Sequence, residues 1–97
     1  MARLLLAKRA VADAERLADF LRESDPVAAA ETVELLVSAL GMLRQHPLIG
    51  HPAERGLREL VISRGRTGYV ALYGYDELAD RVVVYAIRHQ REAGYER

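Results

Sequence analysis

The sequence contains no cysteine and only one lysine, Lys8. The first absence removes disulfides, thiolate nucleophiles and zinc–cysteine sites together, and fits a reducing compartment. No apolar stretch reads as long as the roughly 18 to 20 residues of a membrane span. The opening MARLLLAKRAV has an apolar run too short for a signal peptide. The expectation is therefore a soluble cytoplasmic protein with no membrane partner. Neither sign of charge is in excess: 14 basic side chains face 14 acidic ones. Residues 1–49 carry six basic and seven acidic groups, and residues 50–97 carry eight and seven. That balance argues against bulk electrostatic binding of nucleic acid, which needs a net basic face. Gly56, Gly68 and Gly74 do not form a phosphate-cradling loop, because no glycine-rich run leads into a helix.

What is present is globular. The 97 residues suit one domain, 1–97, and 51% hydrophobic with 29% charged residues does not fit a disordered chain. Arg3 to Ala7 is a short apolar run that length alone assigns to neither strand nor helix. Val11, Ala14, Leu17, Ala18 and Leu21 then recur at helical spacing, with Asp13, Glu15, Arg16, Asp19 and Arg22 on the other side. This predicts an amphipathic helix over 9–23. Asp25 is a good N-cap and Pro26 suits a first helical position. The helix they open, about 26–45, has the apolar stripe Val33, Leu36, Val37, Leu40 and Leu43, widened by Leu35, Ala39 and Met42. A helix this apolar must contact two surfaces, a sheet and either the first helix or a partner.

HPLIGHPAERG, residues 46–56, reads as a loop. Strands follow over 57–62, 68–75 and 81–89. By the period of two, Tyr69, Ala71, Tyr73 and Tyr75 share one face of the central strand. In the last strand the same period groups Val83, Tyr85, Ile87 and His89 on one face and Val82, Val84, Ala86 and Arg88 on the other. Short connections favour antiparallel neighbours, since a parallel crossover needs a dozen or more residues. The fold class expected is α+β, in the order β-α-α-β-β-β: a two-layer domain with a helical hairpin on an antiparallel sheet.

Histidine near neutral pH can act as general acid or base, so His89 with Arg88 and Arg91 is a candidate site; its alternative is packing against the next strand. Tyr95 could stack on a base, donate a proton, or fold back on the core edge. Arg58 is placed for a phosphate or for a surface ion pair. Arg64 and Arg66 flank Gly65 in a turn that suits an acidic partner, nucleic acid or plain solvent. His46 and His51 bracket PLIG, but no carboxylate at suitable spacing completes a metal site, so no metal is expected. Tyr69, Tyr73 and Tyr75 read first as sheet packing.

The segments HPLIGHPAERGLRELVI, GYVALYGYD and VVVYAIRHQREAGY, in this order and spacing, resemble the RelE/ParE superfamily of toxins from bacterial type II toxin–antitoxin systems. The resemblance covers nearly the whole chain. It implies a small toxin with no cofactor, neutralised by a cognate antitoxin that wraps an extended or helical segment around it. Leu35, Met42, Tyr73 and Tyr75 are then the antitoxin-binding candidates, in a toxin–antitoxin hetero-oligomer or a homodimer. RelE-like members are ribosome-dependent mRNA endonucleases that use basic residues and a tyrosine or histidine near the C-terminus. ParE-like members inhibit DNA gyrase. The nuclease set would here be Arg58, Arg88, His89, Arg91 and Tyr95. A gyrase-binding surface would draw on Arg64, Arg66, Arg88, His89 and Arg91. Nuclease members usually carry arginine beside the first tyrosine of the central strand. Here Val70 follows Tyr69, and no basic residue occurs from Thr67 to Asp80. Cleavage of a phosphodiester gathers negative charge that needs positioned cations. The expectation is accordingly growth arrest through gyrase, with the ribosome and mRNA as the alternative target.

Overall fold

A computed structural model describes residues 1–64 and 67–92, apart from the side chains of Arg64 and Thr67. The elements are β1 (Arg3–Leu6), α1 (Lys8–Arg22), α2 (Pro26–Gly41), a 3-10 turn (Met42–Arg44), β2 (His51–Pro52), a second 3-10 turn (Glu54–Gly56), β3 (Arg58–Arg64), β4 (Thr67–Asp76) and β5 (Arg81–His89). The helical hairpin packs on a five-stranded sheet in the order β1-β5-β4-β3-β2, a two-layer α+β arrangement.

The sheet departs from expectation in two places. β1 runs parallel to β5, with Arg3 opposite Arg81 and Leu6 opposite Val84. The short-connection argument governs only sequence neighbours, and the two helices and three other strands intervene between β1 and β5. The loop over 46–56 also contains β2, whose two residues pair antiparallel with Glu59 and Arg58.

The hairpin forms where its caps direct it. The Asp25 carboxylate accepts from the Ala28 amide at 3.1 Å, and Pro26 opens α2. The buried stripe of α2 is Ala29, Thr32, Leu36 and Leu40, continued by Leu43 in the 3-10 turn. Val33 and Val37 face solvent instead, Val37 with 67% of its surface exposed. Several stripes of this helix are apolar enough to bury, and the sheet accepts one. Together α2 and its 3-10 turn, Pro26–Arg44, span 19 residues of mean hydropathy 1.5. By length and composition alone this helix is long and apolar enough to cross a membrane, contrary to the reading of the sequence. Its inner stripe is packed on the sheet.

The last strand does not keep a simple alternation. Leu72 pairs with Ala86 but Tyr73 pairs with Val84, so Tyr85 is an extra residue, a β-bulge. Val82 and Val84 therefore share the helix face with Ile87 and His89, and Tyr85 is exposed. The bulge moves Val82 and Val84 off the face that strict alternation gives them. Arg88 and His89 still point to opposite faces.

Candidate functional site

The C-terminal end of β5 is held by helix α1. β1 ends at Leu6, opposite Val84, so from there on β5 lacks a strand on that side. The register of β5 on β4, with the Gln90 amide donating to the Gly68 carbonyl, turns the amides of Ile87 and His89 toward this open side. Carboxylates take both. Asp13 Oδ2 accepts from the Ile87 amide at 2.9 Å, and Glu92 Oε1 accepts from the His89 amide at 2.8 Å. Asp13 is buried, at 5% exposure, on the inward face of α1 beside Ala10 and Leu17. The amphipathic pattern of the sequence instead assigns it to the solvent side. Its spacing of three and four from those residues is the signal that identifies it.

Arg16 bridges the two carboxylates, and Arg9 adds a second cation beside Asp13. Arg9 Nε lies 3.8 Å from Asp13 Oδ2, and Arg16 NH2 lies 3.9 Å from Asp13 Oδ1 and 3.4 Å from Glu92 Oε1. The His89 amide, and then the Arg16 guanidinium, hold the Glu92 carboxyl below its ordinary value of 4.5 against the opposing effect of partial burial. A lowered carboxyl pKa contributes stability above the ordinary value and loses it as pH falls through the lowered one. Acid should therefore loosen this turn from about pH 4.5 downward. In melting curves between pH 6 and 3, Glu92→Gln is expected to show a shallower acid loss than the parent. Equal slopes would show that the clip contributes nothing.

The candidate side chains are engaged internally. The His89 ring packs edge-on against Tyr69, centroids 5.4 Å apart at 85°, and its Nδ1 accepts from the Arg91 amide at 3.0 Å. That bond places the ring proton of neutral His89 on Nε2. Arg88 NH1 lies within 3.1 to 3.4 Å of the carbonyls of Glu92, His89 and Gln90, closing the terminal turn. Arg91 is exposed.

Arg58 is elsewhere. It pairs with Tyr73 of β4, whereas His89 pairs with Tyr69, four residues and about 13 Å along the strand. Its NH1 donates to the carbonyls of Leu48 (3.1 Å) and Gly50 (2.9 Å), which fixes the loop before β2. Arg58 thus serves as a loop clamp, and it stands apart from the His89 end of the sheet. Tyr95 and Arg66 lie outside the described residues, as does the side chain of Arg64.

Among the antitoxin-binding candidates, Tyr73 has no exposed surface, and its hydroxyl accepts from the Gly50 amide at 2.8 Å. It supports the core and is not the floor of a groove. Leu35 packs against the core at its edge, and Met42 is half-exposed. The Tyr75 hydroxyl donates to Asp80 at 2.8 Å, a bond that raises its pKa above 10.0. Among the described residues no group of three histidine or acidic side chains is close enough to hold a metal ion.

Comparison with known proteins gives concordant matches. The family model described as ParE toxin of type II toxin–antitoxin system, parDE, matches residues 4–94. Toxin RelE3 of Caulobacter vibrioides is 36% identical over 87 residues, covering 90% of this chain and 92% of that protein. The chromosomal ParDE toxin–antitoxin system from P. aeruginosa contains a chain that superposes with a TM-score of 0.76 at 22% identity, covering 92% of this chain and 96% of that one. A chain of the RelBE2 toxin–antitoxin complex from Mycobacterium tuberculosis superposes with a TM-score of 0.61 at 28% identity, covering 92% and 98%.

Proposed function

The chain belongs to the ParE toxin family of type II toxin–antitoxin systems, and from that premise we propose that it arrests growth by binding DNA gyrase until a cognate antitoxin neutralises it. One observation carries the choice of mechanism. Two of the cations a nuclease would draw on are committed to backbone carbonyls: Arg58 clamps a loop about 13 Å along β4 from the His89 position, and Arg88 closes the terminal turn. The surface that acts is then one that binds a macromolecule without cutting it. An antitoxin partner is supported by the two structural relatives, both from toxin–antitoxin systems.

The expected result is that purified protein blocks supercoiling by gyrase and leaves translated mRNA intact. Codon-dependent cleavage of mRNA on ribosomes by the free protein would refute this. The ribosome-dependent mRNA interferase remains the second reading, favoured by the likeness to Toxin RelE3 and by the half-buried His89 beside exposed Arg91. It requires His89→Ala to abolish growth arrest while antitoxin binding persists.

A further inference from the structure

The two edges of the sheet are not alike. One is β1, with the sequence RLLL. The Arg3 amide donates to the Asp80 carbonyl at 3.0 Å, and the Ala7 amide donates to the Val84 carbonyl at 2.9 Å. Arg3, Leu5 and Ala7 therefore direct their main-chain groups at β5, and by alternation Ala2, Leu4 and Leu6 direct theirs off the sheet. The Arg44 carbonyl accepts from the Ala2 amide at 2.8 Å. Among the described residues, no main-chain partner meets the outward groups of Leu4 and Leu6. Leu5 and Leu6 are each 40% exposed. A depression of about 320 Å³, lined by Met1, Ala2, Arg3, Leu4, Leu5 and Arg44, adjoins the same strand.

Sheets blunt an open edge with charged side chains, proline or a covering segment. The far edge does so: β2, which contains Pro52, covers the start of β3, and the rest of β3 carries Ser63 and Arg64 in its sequence. Leu4 to Ala7 hold neither a charge nor a proline. What satisfies a row of alternating amides and carbonyls is another extended main chain. The leucine run selects which one, because it reads the same in both directions. A second β1 laid antiparallel about Leu5 sets Leu4 opposite Leu6 of the other copy, and Leu6 opposite its Leu4. These are the residues with open groups, so each amide meets a carbonyl. Leu5 meets its own copy at the axis as a non-hydrogen-bonded pair, with Cα atoms about 4.5 Å apart. Arg3 falls opposite Ala7 and Ala2 opposite Lys8, so no like charges oppose each other. The open stretch lies between Ala2, held by Arg44, and Lys8, where α1 leaves the sheet, and the second copy spans the same stretch.

We propose that β1 is a self-association edge: two copies of the chain pair through Arg3 to Ala7 about a two-fold axis at Leu5, joining their sheets into one. The pairing is independent of the target on which the toxin acts. It uses none of the residues weighed above for target binding or catalysis.

The test is a charge swap at the axis. Leu5 is opposite Val83 and shares no face with Leu4 and Leu6, which lie beside the core residues Val82 and Val84. Its half-exposed side chain should therefore tolerate Leu5→Lys and Leu5→Glu, and melting curves verify folding. Light scattering over a concentration series reads the oligomeric state. The parent is expected to be a reversible dimer. Each variant alone should have a dissociation constant raised at least about tenfold, since it sets like charges directly opposite each other. An equimolar mixture of the two should dimerise again, lysine facing glutamate, which a register without Leu5 at the axis would not produce. Hydrogen exchange adds a readout that needs no variant: the Leu4 and Leu6 amides of the parent should slow as its concentration rises. A parent that is monomeric at every concentration overturns the proposal. So does a dimer indifferent to both substitutions, or a mixture no more associated than its components. If neither variant folds, exchange decides alone, and unchanged rates at Leu4 and Leu6 overturn the pairing. Slowing of these amides only when the cognate antitoxin is added, with the free protein monomeric, would make the antitoxin the occupant of this edge and overturn it equally.

Discussion

Gly50→Ala is expected to destabilise the protein by about 4 kcal/mol, or to prevent folding. An added Cβ would lie 2.7 Å from the Glu59 carbonyl oxygen, 2.7 Å from Tyr73 Cε1 and 2.8 Å from its hydroxyl. None of these neighbours can yield easily. The carbonyl belongs to β3, and the Tyr73 ring is fully buried between β3 and β5. Overpacking of this kind costs about 1 to 3 kcal/mol. Displacing the loop also orphans the Tyr73 hydroxyl in the core, a further loss of about 1 to 3 kcal/mol. Two comparisons separate the terms. Tyr73→Phe removes the bond without the clash and should cost only the second amount. At Gly68 the atoms nearest an added Cβ all belong to the side chain of exposed Gln90, which can swing away, so Gly68→Ala should cost much less. Urea unfolding of the three variants measures this; a loss below about 1 kcal/mol for Gly50→Ala would mean that the loop adjusts freely.

The second large effect is expected at Asp13. Asp13→Ala removes the acceptor for the Ile87 amide at the end of the bulged strand. An orphaned buried donor costs about 1 to 3 kcal/mol. Breaking a fully buried ion pair would cost about 3 to 5 kcal/mol. Here that figure is an upper bound, because the Arg9 and Arg16 side chains are 40% and 36% exposed and can rehydrate. A total of about 3 kcal/mol follows, equivalent to a melting temperature lower by roughly 15 °C for a domain of this size. Asp13→Asn keeps an oxygen for the amide and gives up only the charge, so its loss should be about 1 kcal/mol. If alanine and asparagine are equally costly, the charge matters more than the amide. If alanine costs under 0.5 kcal/mol, water replaces the carboxylate and the clip is dispensable.

Much of this fold is legible in the residues, and the parts that are not have definite causes. Asp25 and Pro26 mark the start of α2 because capping is a local interaction within a few residues. The bounds of β5 are legible because RVVVYAIRH is rich in β-branched residues between turn signals. Its bulge is not, because VVVYAI is apolar on both faces, so a slip of one residue leaves the pattern unchanged. The same degeneracy hides which stripe of α2 is buried. Val33 and Val37 are as apolar as Leu36 and Leu40, and only the position of the sheet separates them. Asp13 is hidden for a different reason. A carboxylate on an inward face contradicts the pattern until the unpaired Ile87 amide is known, and that amide depends on where β1 stops. Of the candidate residues, Arg88 and His89 lie at the end of β5 on opposite faces, with the Arg91 amide bonded to the His89 ring, while Arg58 belongs to the clamp.

The parallel pairing of β1 with β5 has a consequence for synthesis. β5 lies between β1 and β4, yet among the described strands it is the last in chain order to be made. Until residues 81–89 emerge, β1 has no neighbour and the hairpin has only part of a sheet to cover. Closure therefore waits for a contact of long sequence separation, which slows folding and leaves apolar surface open in the nascent chain. A message truncated before Arg81 should yield a chain that is degraded and harmless.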